Sequence, residues 1–373
     1  MNEINPFPIA GYLSPEYFCD RDNEKKRLVA AIKNQRNLTL ISQRRMGKTG
    51  LINHVFHFLK RDRSFALFYF DILSTTNLTD FTKLFAKTVV GKIDSTPVNF
   101  FKSIGKFFSN IKSTFVMDPM TGRPSIEFSL EAGSETIMTL EKIFQYISRQ
   151  KKTVVIAIDE FQQIVHYPEK NTEALLRTHI QKANNCRFVY SGSHKHLLMT
   201  MFSNHGRPFY QSTEIMHLGK IDIKTYSTFI KSKFTSARRK ISDDAIAYIL
   251  QWTKVHTFYV QFVCNRLYTT GEKNITTDLI NKVLLDSLME YEVYYYNYRN
   301  LLTDYQWQLL RSIALEDEVK MPTSKEFMQK NKLGTPSSVQ AALTALIERE
   351  VVYYENGKYS VNDVLLSRWF SRI

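Results

Sequence analysis

Cysteine is scarce in this chain of 373 residues. Cys19, Cys186 and Cys264 are few, odd in number and far apart, which excludes a disulfide framework and argues against a zinc site. No apolar run approaches the roughly 18 residues needed to cross a bilayer. The opening Met1-Asn2-Glu3-Ile4-Asn5-Pro6 has neither the basic start nor the apolar stretch of a secretory signal. These absences predict a cytoplasmic protein without a membrane span. Acid is also in short supply, 36 Asp and Glu against 50 Lys and Arg, for a net charge of +14. Such a balance favours polyanions: nucleic acid, acidic protein faces or a membrane surface. The excess is uneven. Lys224 to Lys240 holds six basic residues and no acid, and Lys83 to Arg123 holds seven against two, whereas Arg299 to Ile373 is nearly balanced, ten against nine.

What is present is the composition of a globular protein, 43% hydrophobic and 23% charged, long enough for two or three domains. Apolar periodicity predicts a helix over 22–33, a strand over 38–42 and a helix over 48–60. Phe65 to Phe70 and Thr153 to Ile158 are near-continuous apolar runs, as expected of strands buried on both faces. Arg187 to Ser191 and Glu214 to Leu218 add two more strands, with helices near 78–91 and 134–150. Strands alternating with helices imply an α/β domain with a mostly parallel sheet.

Three polar stations follow strands in that sheet. After the first comes Ser42-Gln43-Arg44-Arg45-Met46-Gly47-Lys48-Thr49, leading directly into a helix. Strand, loop, Gly-Lys-Thr and helix are the setting of a phosphate-binding loop, in which backbone N–H groups and a helix N-terminus converge on phosphate oxygens. Lys48 would supply charge to the β- and γ-phosphates, and Thr49 a hydroxyl to Mg2+. Ser42 departs from the glycine that opens the G-x-x-x-x-G-K-[ST] pattern. The run Val154 to Ile158 ends in Asp159-Glu160. Asp159 is suited to holding the metal and Glu160 to orienting or deprotonating water. Tyr190-Ser191-Gly192-Ser193 forms the third station, with Ser193 as the candidate γ-phosphate sensor and Ser191 as its alternative.

A segment of about 92–133 interrupts the alternation. Val98 to Phe108 has the spacing of a basic amphipathic helix, open to a membrane, a partner or its own domain. Met117 to Pro124 reads as a turn, and Ser125 to Leu130 as a strand. Residues 222–300 read as helices only. Tyr291, Tyr294, Tyr295, Tyr296 and Tyr298 close that stretch, either as a stacking platform for bases or as packing between domains. Three helices (304–314, 324–331, 337–349), a hairpin about Glu355-Asn356-Gly357-Lys358 and a helix at 364–370 give a winged helix-turn-helix pattern.

The motifs together resemble the archaeal-type ATPases of the AAA+ and STAND group of P-loop NTPases. The resemblance covers nearly the whole chain. Phe18-Cys19-Asp20-Arg21-Asp22-Asn23-Glu24 is similar to the entry motif F-x-G-R-x-x-E, with Asp20 in place of glycine. Paired arginines before Gly47-Lys48-Thr49, then Ile158-Asp159-Glu160-Phe161-Gln162, Ser191-Gly192-Ser193, Arg207-Pro208-Phe209-Tyr210 and a winged helix ending in Arg368-Trp369-Phe370 continue it. It implies a five-stranded sheet of order 5-1-4-3-2, a helical lid and a winged helix, divided near 1–220, 221–300 and 301–373. It also implies ATP and Mg2+ as ligands. Phe18 and Arg21 then lie near the adenine, and Arg44, Arg45, Met46, Gly47, Lys48, Thr49 and Gly50 around the phosphates. The usual lid motif reads His256-Thr257-Phe258-Tyr259 here, with His256 as a candidate contact. Arg207 and Arg177 are candidate arginine fingers.

A nucleotide-driven switch with slow hydrolysis and a protein partner is the first functional expectation. A DNA-binding regulator and a non-hydrolysing scaffold are the alternatives. The helix at 337–349 carries one basic residue, Arg349, beside Glu348 and Glu350, and a DNA-reading helix needs more. Nucleic acid would instead meet Lys224–Lys240 or the 92–133 insertion, with steep salt dependence.

Overall fold

Strands that are apolar on both faces require helices on both faces, and the chain supplies them. The computed structural model describes residues 4–90, 107–108, 111–117, 124–131 and 133–372. They fall into two compact units, one of Gly11–Gln43 and Gly47–Gly219, the other of Met1–Ala10, Arg44–Met46 and Lys220–Ile373.

The first unit holds five parallel strands, β1 (Leu38–Ile41), β2 (Phe65–Asp71), β5 (Thr153–Asp159), β6 (Cys186–Gly192) and β7 (Glu214–His217). Their order is β2-β5-β6-β1-β7. Counting these five in chain order gives 5-1-4-3-2, the order implied by the resemblance. Alternate residues of β5 enter different cores, as the two-residue period of a strand requires. Val154, Ile156 and Ile158 join a cluster with Phe81 and Phe85 of α3 (Leu78–Val89) and Ile143 of α4 (Ser134–Ser148). Val155 and Ala157 join another with Leu28 of α1 (Asp22–Lys33) and Leu51 and Val55 of α2 (Lys48–Leu59). Each Val, Leu, Ile or Phe side chain among these contributes about 1.5–3 kcal/mol through its burial. Helices α5 (Thr172–Lys182) and α6 (Lys195–Ser203) complete the layers.

A hairpin of β3 (Ser113–Met117) and β4 (Pro124–Phe128) lies in the inserted segment. The 125–130 run is thus a strand, while its partner 113–117 was not legible as one. Most of the amphipathic 98–108 segment and the 118–123 turn lie outside the described residues.

The second unit begins with α7 (Ile223–Ser236), α8 (Asp243–Trp252), α9 (Thr257–Thr269) and α10 (Thr277–Leu301). Helices are not its only elements: β8 (Lys240–Ile241) and β9 (Asn274–Ile275) pair in parallel. Asp222, Ser242 and Thr276 each accept a hydrogen bond from the backbone N–H three residues on, which fixes where α7, α8 and α10 start. Then follow α11 (Asp304–Leu315), α12 (Lys325–Lys330), α13 (Pro336–Glu348), the antiparallel hairpin β10 (Val352–Glu355) and β11 (Lys358–Val361), and α14 (Val364–Phe370). Asn356 and Gly357, at φ 51° and 79°, make the tight turn that a two-residue hairpin loop demands. Trp369 packs against Tyr295, Tyr296 and Trp307 and donates to Glu292 Oε1 at 3.0 Å. Tyr295 is therefore a packing residue, while Tyr294, Tyr296 and Tyr298 remain exposed.

Candidate functional site

In a parallel sheet all the strands end at one edge, where ligands bind. Strands β5, β6 and β1 are neighbours, with Ile158 level with Tyr190 and Ile41 level with Gly192. The residues that follow them, Asp159-Glu160, Ser193 and Ser42, are thereby brought together by topology.

Gly47 ends the loop at φ 97°, a left-handed conformation that glycine adopts without steric cost, and α2 starts at Lys48. Arg45 is also left-handed, at φ 60°, but Ser42 is not among the residues with positive φ. No backbone conformation at this position demands glycine. The Ser42 hydroxyl accepts from Lys48 Nζ at 3.2 Å, and the carbonyls of Ser42 and Gln43 accept from it at 3.3 and 3.0 Å. The lysine thus lies folded over its own loop.

Asp159 is buried and fully engaged. Its Oδ2 accepts from the hydroxyls of Thr49 at 2.6 Å and Tyr69 at 2.8 Å. Its Oδ1 accepts from Ser191 Oγ at 2.6 Å and from the Glu160 N–H at 3.1 Å. Burial, with the Asp159 charge beside it, pushes the Tyr69 phenol far above its ordinary range, so it stays a donor. Burial likewise raises the carboxyl of Asp71, the residue level with Asp159 on β2.

Glu160 has a left-handed backbone, φ 53°, which is uncommon for a residue other than glycine and concentrates at functional sites. Its Oε2 accepts from Ser193 Oγ at 3.0 Å, Ser193 N–H at 3.2 Å and Gln162 Nε2 at 2.5 Å. Gln162 lies close over Gly192: a Cβ there would stand 2.0 Å from Gln162 Oε1 and 2.9 Å from Leu198 Cδ1. Ser191 and Ser193, two readings for one role in the sequence, serve different carboxylates, Asp159 and Glu160.

At the entry motif Asp20 and Arg21 are both left-handed, φ 56° and 71°. This explains the glycine usual at position 20 and makes aspartate, a residue that tolerates αL, a workable replacement. Arg21 is buried and paired with Glu24. Phe18 stacks on His54 at 4.2 Å, and Tyr12 bonds His54 Nδ1 at 3.0 Å. A Cβ at Gly50 would lie 3.3 Å from the Phe18 ring. Burial pushes His54 down to about 4, so it is neutral at pH 7. Sequence reasoning passed over Tyr12, His54, Tyr69 and Gln162. Of these only Gln162 stood in a quoted motif.

Arg44, Arg45 and Met46 cluster with the second unit. Arg44 Nε pairs with Glu350 at 3.4 Å, its carbonyl bonds His256 Nε2 at 3.1 Å, and the Arg45 guanidinium lies over the Phe258 ring at 4.4 Å. His256 is buried, held at about 4 by that burial, and its Nδ1 has no hydrogen-bond partner among the described residues. Arg207 pairs with Glu173, and burial lowers Arg177.

Residues 31–200 match the family model described as AAA domain, and 293–372 that described as probable winged helix domain. No curated protein matches the chain. The fold is similar to that of the Walker-type ATPase PABY2304 of Pyrococcus abyssi (TM-score 0.69, 16% identity, 99% of this chain and 100% of that one). It is also similar to the Aeropyrum pernix ORC2 protein in its ADPNP-ADP complexes (0.57, 12%, 100% and 98%) and to the ORC1 protein of the same organism in complex with DNA (0.50, 14%, 96% and 94%). Among the described residues no helix is long and apolar enough to cross a membrane.

Proposed function

Starting from an AAA domain followed by a winged helix, the arrangement of archaeal-type AAA+ ATPases, we propose that this chain is a nucleotide-dependent switch that binds ATP and hydrolyses it slowly. The observation that carries the reading is the joining of Thr49 to Asp159 at 2.6 Å, with Ser193 joined to Glu160 beside them. In this reading the Gly47, Lys48 and Thr49 N–H groups at the start of α2 cradle phosphate oxygens. Lys48 exchanges its loop carbonyls for the β- and γ-phosphates. Glu160 orients or deprotonates the attacking water. Ser193 follows the γ-phosphate, because it holds Glu160 in the arrangement described and must release it for Glu160 to turn to water. That release, with Gln162 as a second tether, supports slow turnover. The oxygen donors Thr49 and Asp159 fit Mg2+, a hard cation that takes oxygen ligands. When bound, it neutralises charge on the phosphates. Phe18, Arg21 and Gly50 form the adenine side, while Arg44, Arg45 and Met46 lie at the loop's tip. Residues 221–300 act as a lid, and 301–373 carries the response to a protein partner.

A second reading, binding of nucleic acid, is favoured by the exposure of Lys224, Arg238 and Lys240. It is weakened by α13, which carries no basic residue, and by Lys231, which is paired with Asp243. One experiment addresses both: phosphate release by wild type, Lys48→Ala and Glu160→Gln, with and without DNA. Expected are slow, magnesium-dependent release by wild type, loss of nucleotide binding in Lys48→Ala, and retained ATP without release in Glu160→Gln. A flat baseline in all three overturns the hydrolysis reading. Tight binding of DNA whose salt slope is flattened by charge reversal at Arg238, Arg239 and Lys240 favours the second.

A further inference from the structure

Within the second unit a cleft of about 570 Å³ opens among Lys220, Lys254, Lys320 and Lys358. That volume lies in the range of small-molecule sites, about 300–1,000 Å³. The four ammonium groups come from separate parts of the chain: the segment before α7, the turn after α8, the loop after α11, and β11. Their opposing charges do not cancel them. Asp317 is taken by Lys254 at 2.9 Å, Glu318 by Lys358, and Glu316 by Lys330, which is not part of the lining. Lys220 and Lys320 are exposed and form no ion pair among the described residues. The cleft therefore holds two unmatched ammonium groups.

Asp317 and Glu318 are about half exposed, and Asp317 also pairs with Arg368 at 3.6 Å; a carboxylate still has acceptor sites beyond these cations. Ser360, level with Tyr353 across the hairpin, adds a hydroxyl. The two unpaired ammonium groups suit a phosphoryl group. The carboxylates and the hydroxyl of the same lining suit ligand hydroxyls, which can donate to them. We propose that this cleft binds a small phosphorylated polyol, either a sugar phosphate or the ribose-phosphate part of a nucleotide.

The surroundings make such binding consequential. Lys254 and Val255 both have left-handed backbones, φ 53° and 55°, a genuine outlier for a β-branched residue. They lead directly into His256. The side chain of Lys254 is held by Asp317 and by Ser367 Oγ at 3.3 Å. Burial keeps its ammonium below the ordinary range despite Asp317, with Arg368 and Lys220 adding repulsion. Lys220 also acts on His256. A phosphoryl group beside Lys220 and Lys254 relieves that repulsion and draws Lys254 from Asp317, loosening the turn.

The test is calorimetric titration of the full chain with ribose 5-phosphate, AMP, inorganic phosphate and ribose. Wild type, Lys48→Ala and the double variant Lys220→Ala/Lys320→Ala are compared, with thermal midpoints as the check on folding. Ribose 5-phosphate is expected to bind wild type and Lys48→Ala equally. Loss of the two charge-assisted contacts should weaken it about tenfold or more in the double variant. Phosphate and ribose alone should be weaker still, and the AMP arm separates nucleotide from sugar phosphate. The imidazole signal of His256 should shift on binding in the proton spectrum. The proposal is overturned by the absence of binding, by unchanged affinity in the folded double variant, or by binding lost in a folded Lys48→Ala chain, which would place the ligand on the phosphate loop.

Discussion

The carboxyl edge of the sheet and the turn after α8 are both polar places set in apolar surroundings, and they are built in opposite ways. At the sheet edge every oxygen of Asp159 has donors, and Glu160 is tied to Ser193 and Gln162. At the turn Lys254 and Val255 are strained, His256 Nδ1 is left without a partner, and one lysine reaches across to Asp317. A satisfied network in a low-dielectric setting is rigid, and a partly satisfied one costs free energy that a different arrangement can recover. Asp159 is thus fixed by its donors, whereas the turn carries two successive left-handed residues; among the described residues each region also holds an unpartnered buried atom, Gln162 Oε1 and His256 Nδ1.

The largest expected effect concerns what supports the turn. Trp369 is the anchor of α14 against α10 and α11, ringed by Tyr295, Tyr296 and Trp307. Trp369→Ala should cost about 3–5 kcal/mol, seen as an early transition in denaturant. If the first unit keeps its own midpoint meanwhile, the two regions unfold separately. A single unshifted transition would show that Trp369 does not support the turn.

Gly192→Ala attacks the rigid side. The new methyl would meet Gln162 and Leu198, an overpacking worth about 1–3 kcal/mol, and would push Gln162 off Glu160. Adding Gln162→Ala should restore most of the lost stability, since the closer contact is removed. A double variant no better than the single one would mean that Leu198 sets the limit.

These residues also show what a sequence discloses. Asp159-Glu160 and Ser193 were readable because an apolar strand that ends in polar residues delivers them to a known edge of a parallel sheet. Tyr69 was not. The run 65–70 reads as buried on both faces, but in β2 only Phe68 and Phe70 are buried, and an apolar run does not say that its tyrosine turns its hydroxyl toward a neighbouring strand. Gln162 donates to Glu160, a left-handed residue, and a sequence reveals neither that φ nor that contact. The short strand β3, Ser-Thr-Phe-Val-Met, is recognisable only beside β4. The cleft lysines were illegible for a different reason: no local pattern links Lys220, Lys254, Lys320 and Lys358. The element boundaries fared better, because apolar period, Asn-Gly turn and N-cap residues agree along most of the chain.

Each unit contains a buried neutral histidine, His54 of α2 in the first and His256 at the turn in the second. Both are held at about 4 against an ordinary 6.5. The unfolded chain therefore binds more protons than the folded one between those values. Stability from these groups is complete above pH 6.5 and is lost as pH falls toward 4. The thermal midpoint should fall between pH 7 and pH 5. His54→Gln should flatten the fall for the first unit, and an equally steep fall in that variant would assign it to other groups.

The smallest effect is expected at Ser42. A glycine there would be required if the loop needed a left-handed backbone at its first position, and it does not. Ser42→Gly should leave stability within about 1 kcal/mol, the ordinary cost of glycine's extra freedom. What changes is Lys48, which loses the hydroxyl at 3.2 Å but keeps the carbonyls at 3.3 and 3.0 Å. A hydrogen bond from a charged group contributes about 1.5–3 kcal/mol net, and less here because two carbonyls remain to take the ammonium. If the hydroxyl holds the lysine back from phosphate, its removal should tighten ATP binding by up to about tenfold. If it instead steadies the lysine for phosphate, affinity should fall by a similar factor. The sign of that change, measured by titration, decides whether the sheet edge stores any of the restraint seen at the turn.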